Sequence, residues 1–84
     1  KLVLVLITLA FFDRRGIAQK VLMLNAGAFI IVHNHPSGDT TPSEADIDAA
    51  IKIDEVGQLI YIPMKDFMII GSETYYSFKE NEDI

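Results

Sequence analysis

A short apolar segment that ends in two histidines is the feature of this chain that most restricts its fold. Residues 28–32 are rich in Ile and Val, Gly27 precedes them, and His33-Asn34-His35-Pro36 follows them. A short apolar run between such breakers is typical of a central strand that is buried on both faces. Because proline cannot donate a ladder hydrogen bond, we expect the strand to stop directly after the second histidine.

A helix is predicted before this strand. Asp13 can cap a helix that begins near Arg14, and Gly27 suits the left-handed position that follows a helix C-terminus. The helix would bury apolar residues that recur at helical spacing, namely Ile17, Val21 and Leu24.

A second helix and further short strands are predicted after the histidines. Residues 36–42 form a loop by composition, and Ser43 stands at capping-box spacing from Asp46. The helix would run to about Val56, end at Gly57, and bury apolar residues, namely Ile47, Ala50, Ile51 and Val56. We predict strands over residues 59–62, 67–70 and 75–78, and a frayed, charged tail over residues 79–84.

The apolar run of residues 2–12 is predicted to be another buried strand. A signal peptide would need a small-residue cleavage site, whereas Asp13-Arg14-Arg15 follows the run. The run is also too short to span a bilayer, which takes about 20 apolar residues. Because the chain begins with Lys, we expect it to be a fragment or a processed product.

Length and element order predict one α/β domain. The chain has 84 residues, and the predicted elements favour a small mixed β-sheet flanked by two helices. The net charge of −5 argues against a nucleic-acid surface, since the only grouped basic residues are Arg14, Arg15 and Lys20. A solvated helix face is the favoured interpretation of those three. The absence of cysteine excludes disulfides and thiolate metal sites, and it fits a cytoplasmic location.

His33 and His35 are the only histidines of the chain. Side chains at i and i+2 of a strand point to the same face, so both imidazoles can reach one ion at the C-terminal end of the strand. Without cysteine, a further ligand must be a carboxylate, and Asp46 is the natural one because the loop returns the helix start toward the strand end. Two imidazoles, a carboxylate and an open position are the ligand set of a catalytic zinc site.

Each of these residues also has an ordinary structural interpretation. The histidines can be polar residues at a strand end, Ser43 only an N-cap and Asp46 only a capping-box acid. A single metal site is favoured because it explains the histidine pair, the loop and the helix start together. A metallophosphoesterase or amidohydrolase site is disfavoured, because those folds need histidines that this chain does not have.

The spacing from His33-x-His35 to Ser43 and Asp46 resembles that of the JAMM (MPN-type) metallopeptidase domain. The segment HNHPSGDTTPSEADI is most similar to the bacterial RadC-like branch, and residues 15–32 and 66–78 resemble the segments flanking its site. The resemblance implies a single JAMM/MPN-like domain over residues 1–84, holding the C-terminal two thirds of the family domain without a helix-hairpin-helix region.

The resemblance also implies roles for the site residues. His33, His35 and Asp46 would ligate one Zn²⁺ ion. Ser43 would act in catalysis by stabilising the oxyanion that forms when a zinc-activated water attacks a peptide or isopeptide bond. A peptide or protein substrate is the partner that this chemistry implies. The short apolar run argues against a membrane partner, and unpaired sheet edges favour pairing with other copies of the chain.

One departure from the family divides the functional hypotheses. The family's catalytic glutamate lies on a strand before the His-x-His segment, whereas this chain has no Glu before Glu44 and only Asp13 as an upstream acid. Asp13 stands at a predicted helix start and is a poor substitute. We therefore weigh a zinc hydrolase against a metal-binding but catalytically silent module. An association with DNA repair follows only from the RadC-like name, and no residue pattern supports it.

Overall fold

The computed structural model describes residues 1–7 and 13–84. In this part of the chain strands and helices alternate, and the last two strands form a hairpin. The elements are β1 (Leu2–Ile7), α1 (Arg14–Met23), β2 (Ala28–Asn34), α2 (Glu44–Leu59), β3 (Met64–Ile70) and β4 (Tyr75–Ser77). The predicted α/β fold with two helices is confirmed, while residues 8–12 of the first predicted strand lie outside the described residues.

The four strands form one mixed sheet in the order β1-β2-β3-β4. The first three strands are parallel, and β4 pairs with β3 in the antiparallel direction. The two crossovers proceed along the sheet in the same direction, so right-handed connections place both helices on one face. The buried core agrees with this placement, because it contains residues of both helices and of one face of β2 and β3. They are Ile17, Val21, Ala50 and Ile53 from the helices, and Phe29, Ile31, Phe67 and Ile69 from the strands.

Among the residues that the structure describes, the other face of the sheet is apolar and only partly covered. Along β2, the buried residues Phe29, Ile31 and His33 alternate with half-buried ones. On β1, Leu2 and Leu4 are 55% and 67% exposed. The prediction that β2 is buried on both faces is therefore wrong, because both helices pack on the same side of the sheet. In the first predicted strand, Val3 and Val5 pack against the core while Leu2 and Leu4 are exposed, so its described side chains are covered on one face only.

α1 follows local capping rules, although its C-terminal signal is not the predicted one. Asp13 Oδ1 accepts a hydrogen bond from the Arg15 N–H at 3.1 Å, as expected for an N-cap. The left-handed residue after the helix is Asn25, with a φ of 53°, and not Gly27. Asparagine visits this region more readily than most residues. Leu24, predicted to be buried, is the C-cap and is 47% exposed, because the chain has already left the core-facing helix.

The end of α2 also differs from the prediction. The helix continues past Gly57 to Leu59, and residues 59–62 end it in a turn instead of forming a strand. Tyr61 has a φ of 59°, and the Ile62 N–H donates to the Gly57 carbonyl at 3.0 Å. Ile62 is buried, so this apolar segment contributes a side chain to the core and does not add a strand to the sheet.

The buried face of α2 is the face that carries Asp46. The buried positions follow one another at i, i+3, i+4, i+7 and i+11, namely Asp46, Ala49, Ala50, Ile53 and Gly57. Ile47 and Ile51, which were predicted to be buried, are 44% and 50% exposed. The helix is thus rotated about its axis so that a carboxylate, together with small residues, faces the sheet.

The C-terminal tail is held by side-chain hydrogen bonds and is not frayed as predicted. The Tyr76 hydroxyl donates to Asp83 Oδ2 at 2.6 Å, and Asn81 Nδ2 donates to the Ser77 carbonyl at 2.8 Å. The bond to Asp83 raises the pKa of Tyr76, because it stabilises the protonated phenol. Ser77 Oγ also donates to Asp66 Oδ2 at 2.6 Å, which links β4 to β3.

Substitution of Gly57 by alanine tests the packing of α2 on the turn that follows it. A Cβ at this position would lie 2.7 Å from the Ile62 carbonyl oxygen and 3.2 Å from the Met64 nitrogen. Alanine in an unobstructed helix stabilises by about 1 kcal/mol relative to glycine. Here we expect Gly57→Ala to lower the free energy of unfolding by about 1–3 kcal/mol in a urea titration, because overpacking opposes the helix preference.

The matched control for this prediction is Glu55→Ala, an exposed substitution in the same helix. We expect it to change the free energy of unfolding by less than about 0.5 kcal/mol. A Gly57→Ala protein as stable as the wild type, or more stable, would contradict the proposed close packing.

Candidate metal centre

The two histidines and Asp46 meet at the C-terminal edge of the parallel strands. His33 is the next-to-last residue of β2, and His35 follows the strand by one residue. Asp46 occupies the third position of α2, whose N-terminus the connecting loop brings back to this edge. In open α/β sheets this edge is the usual place for a ligand site.

The side chains of these three residues converge. His35 Nε2 lies 3.0 Å from Asp46 Oδ2, and His33 Nε2 lies 3.6 Å from Asp46 Oδ1. The two imidazole rings meet edge to face with their centroids 4.9 Å apart, so they lie side by side as the i and i+2 spacing predicts. One donor atom from each residue falls within 4.8 Å of the others, so this group could hold a metal ion.

Burial differs across the group and defines its open side. His33 and Asp46 are 5% and 3% exposed, whereas His35 is half-buried. A cavity of about 330 Å³ adjoins the group, and its lining includes both histidines, Asn34, Pro36, Ser43 and Asp46. Its volume falls at the lower end of the range of about 300–1,000 Å³ that is usual for ligand pockets. A ligand can therefore approach the three donor atoms from the side of the loop.

Asp46 serves the helix cap and the histidine pair with the same carboxylate. Its Oδ2 accepts a hydrogen bond from the Ser43 N–H at 2.9 Å, and its own N–H donates to Ser43 Oγ at 3.1 Å. This is the predicted capping box. The capping and the ligand interpretations of Asp46 therefore do not compete, because the cap orients the carboxylate whose other oxygen, Oδ1, faces His33.

The ring of His35 is oriented by a main-chain carbonyl. Its Nδ1 lies 2.8 Å from the Asp39 carbonyl oxygen. A carbonyl oxygen can only accept, so Nδ1 carries the proton and Nε2 is the nitrogen that can offer a lone pair to an ion. Histidine ligands of metals generally have such a second partner, which fixes both tautomer and ring orientation.

The position of His35 Nε2 relative to Asp46 also suits a shared ion. This nitrogen lies 3.0 Å from Asp46 Oδ2, so the same cation could be bound by both atoms. Two imidazoles and a carboxylate, without thiolates, form a donor set that zinc accepts.

Of the other residues considered from the sequence, Asp13 does not line the cavity, whereas Ser43 does. Asp13 caps α1 through the Arg15 N–H and is exposed, so its carboxylate has a structural role. Ser43 borders the cavity and uses its oxygen as an acceptor in the capping box, which leaves its O–H as a donor. The contribution of Asp39 was not predicted, because it comes from a main-chain carbonyl that every residue type possesses.

Comparison with known proteins identifies relatives across several bacteria. The chain is 47% identical over 68 residues to a UPF0758 protein of Clostridium tetani and 45% identical over 65 residues to a UPF0758 protein of Ruegeria pomeroyi. It is 43% identical over 67 residues to the UPF0758 protein YfjY of Escherichia coli. These matches cover 81%, 77% and 80% of this chain, but only 30%, 29% and 42% of the three relatives.

A family model matches nearly the whole chain. The model described as the RadC-like JAB domain matches residues 6–83, a range that includes both helices, β2 to β4 and all residues of the candidate metal centre. Because this match covers far more than half of the sequence, the chain belongs to the RadC-like JAB domain family.

Proposed function

We propose that this chain binds one Zn²⁺ ion through His33, His35 and Asp46, and that the site hydrolyses a peptide or isopeptide bond. The observation that supports the proposal is the convergence of the three donor atoms within 4.8 Å of one another. The Asp39 carbonyl and the capping box orient two of these ligands in advance. Such preorganisation favours ion binding, since fewer side chains must be ordered when the ion arrives.

Zinc, when bound, would supply a Lewis acid that makes a water molecule nucleophilic near neutral pH. The chain itself contributes the placement of the reacting groups. The cavity beside His35 is the place where the backbone of a substrate would bind. The N-terminus of α2 lies at the same place, and its main-chain N–H groups and dipole favour negative charge there. Charge that develops on an attacked amide oxygen would therefore be stabilised.

Ser43 is the residue proposed to stabilise that charge directly. Its Oγ accepts from the Asp46 N–H, so the hydroxyl hydrogen is available for an oxyanion at the cavity wall. One hydrogen-bond donor of this kind is typically worth about 10²–10³-fold in turnover. The cap uses a lone pair of the hydroxyl oxygen, and the catalytic role would use the one hydroxyl hydrogen, so the two roles are compatible.

A second candidate function is metal binding without turnover. In the described part of the chain, Asp46 is the sole carboxylate that lines the cavity. Asp13 is bound to α1, and the sequence has no Glu before Glu44. A general base contributes about 10²–10⁴-fold in rate, so a site that lacks one would keep its ion and lose most of its activity.

The proposed chemistry also implies a partner for the site. This partner would be a peptide or protein substrate that the chain meets in the cytoplasm. Neither of the two described helices has the length and apolar character needed to cross a bilayer. The net charge of −5 does not support binding of DNA, and it therefore does not support a role in DNA repair.

Self-association through the edge of β1 remains a prediction, since among the described residues this strand pairs only with β2.

Metal content of variants tests the ligand assignment. We expect the wild-type chain to hold one zinc ion after dialysis, measured by inductively coupled plasma mass spectrometry. His35→Ala and Asp46→Asn should each hold less than about a tenth of that amount, because a three-residue site loses a ligand. Asp48→Asn is the matched control, since Asp48 is an exposed acid in the same helix. Equal zinc in Asp46→Asn and Asp48→Asn would refute the site.

Activity of Ser43 variants separates the two candidate functions. With zinc present, we expect chelator-sensitive cleavage of a fluorescent casein or of a lysine-linked isopeptide. Ser43→Ala should lower the cleavage rate by about 10²–10³-fold while zinc content is unchanged. Ser43→Thr keeps both a cap and a hydroxyl and should retain most of the rate. Zinc binding without any cleavage by the wild type would establish the silent module instead.

A further inference from the structure

The loop that carries His35 is docked on the turn between β3 and β4 at two adjacent points. The His35 N–H donates to the Ile70 carbonyl at 3.0 Å, at the end of β3. The next residue, Gly71, packs directly against the loop. A Cβ built at Gly71 would overlap the Gly38 carbonyl oxygen and lie 3.0 Å from Thr40 Cγ2. The loop and the turn therefore fit together only if residue 71 has no side chain.

The need for glycine at position 71 arises from space and not from backbone conformation. Among the described glycines, Gly38 has a φ in the left-handed region, at 88°, whereas Gly71 does not. The Gly71 N–H donates to the Thr74 carbonyl at 2.9 Å, which holds the turn in place. An alanine could adopt this backbone, but its methyl group would displace the loop.

The displaced part of the loop is the part that orients the His35 ring. The Gly38 N–H donates to the His35 carbonyl at 3.0 Å, and the following carbonyl, that of Asp39, accepts from His35 Nδ1 at 2.8 Å. Asp39 is fixed further by its own side chain, because Oδ1 accepts from the Thr41 N–H at 3.0 Å. A shift of Gly38 therefore moves the carbonyl that sets the tautomer and orientation of His35.

We propose that Gly71 is a positioning residue for the metal centre, acting through Gly38 and the Asp39 carbonyl on the ring of His35. The inference rests on the proposed zinc function and extends it to a residue that contacts none of the three donor atoms. His33 and Asp46 are held by β2 and α2, so the contact at Gly71 bears on one ligand of three. Loss of an outer-shell partner typically costs about 10–100-fold in metal affinity.

The first test compares zinc affinity in two glycine variants of the full chain, measured by competition with a chromophoric chelator. Gly71→Ala should bind zinc about 10–100-fold more weakly than the wild type. Gly57→Ala is the matched control, since its methyl group also meets a carbonyl oxygen, that of Ile62, but near the start of β3. We expect Gly57→Ala to lose stability and keep its zinc affinity. Equal affinities of Gly71→Ala and wild type would overturn the inference.

A second pair of variants tests the same route without crowding the turn. Asp39 is exposed, so its substitution should leave the fold intact. Asp39→Ala removes the acceptor for the Thr41 N–H and should weaken zinc binding by about tenfold, whereas Asp39→Asn keeps an acceptor and should stay close to wild type. Equal losses in both variants would mean that charge and not position matters, which would overturn the inference.

The absorption spectrum of the Co²⁺-substituted protein reports on ligand geometry. We expect a changed visible spectrum for Gly71→Ala and an unchanged one for Gly57→Ala. A wild-type chain that binds neither zinc nor cobalt would overturn the proposed function itself. Normal binding and identical spectra in all variants would leave that function intact and overturn only the role of Gly71.

Discussion

The buried carboxylate of Asp46 is the interaction on which the arrangement of this domain depends. It is 3% exposed, so it must be surrounded by partners that compensate for lost hydration. Its Oδ2 accepts from the Ser43 N–H and lies 3.0 Å from His35 Nε2, while Oδ1 faces His33. This one side chain thus caps the first turn of α2 and contacts both histidines. It thereby sets the distance between the end of β2 and the start of α2.

The rest of the fold is consistent with this constraint. For Asp46 to face the histidines, α2 must bury the side that carries Asp46, Ala49 and Ala50, and it leaves Ile47 and Ile51 largely exposed. Small residues on that side allow the helix to lie close to the sheet. The two parallel crossovers bring α1 to the same face, where Ile17 and Val21 complete the core. Within the described part of the chain, the opposite face of the sheet is apolar and partly open.

Local signals in the sequence predicted local structure well. The capping box of Ser43 and Asp46, the Asp13 N-cap and the strand that ends in the histidines each depend on neighbouring residues. Predictions that required knowledge of distant partners were wrong. Residues 59–62 have the composition of a strand, but the Ile62 N–H bonds to Gly57 and the segment closes the core. The charged tail is ordered because Tyr76 and Ser77 bind it, which no local pattern indicates.

By itself, the sequence determined the family, the α/β class and the three residues that could share an ion, because motif spacing and capping chemistry are properties of short segments. Only the tertiary structure decided which oxygen of Asp46 faces which histidine, that the Asp39 carbonyl orients His35, and that Gly71 must lack a side chain. These features depend on contacts between the loop, the helix start and the β3–β4 turn. Such contacts involve main-chain atoms and free space, neither of which is encoded in the identity of a single residue.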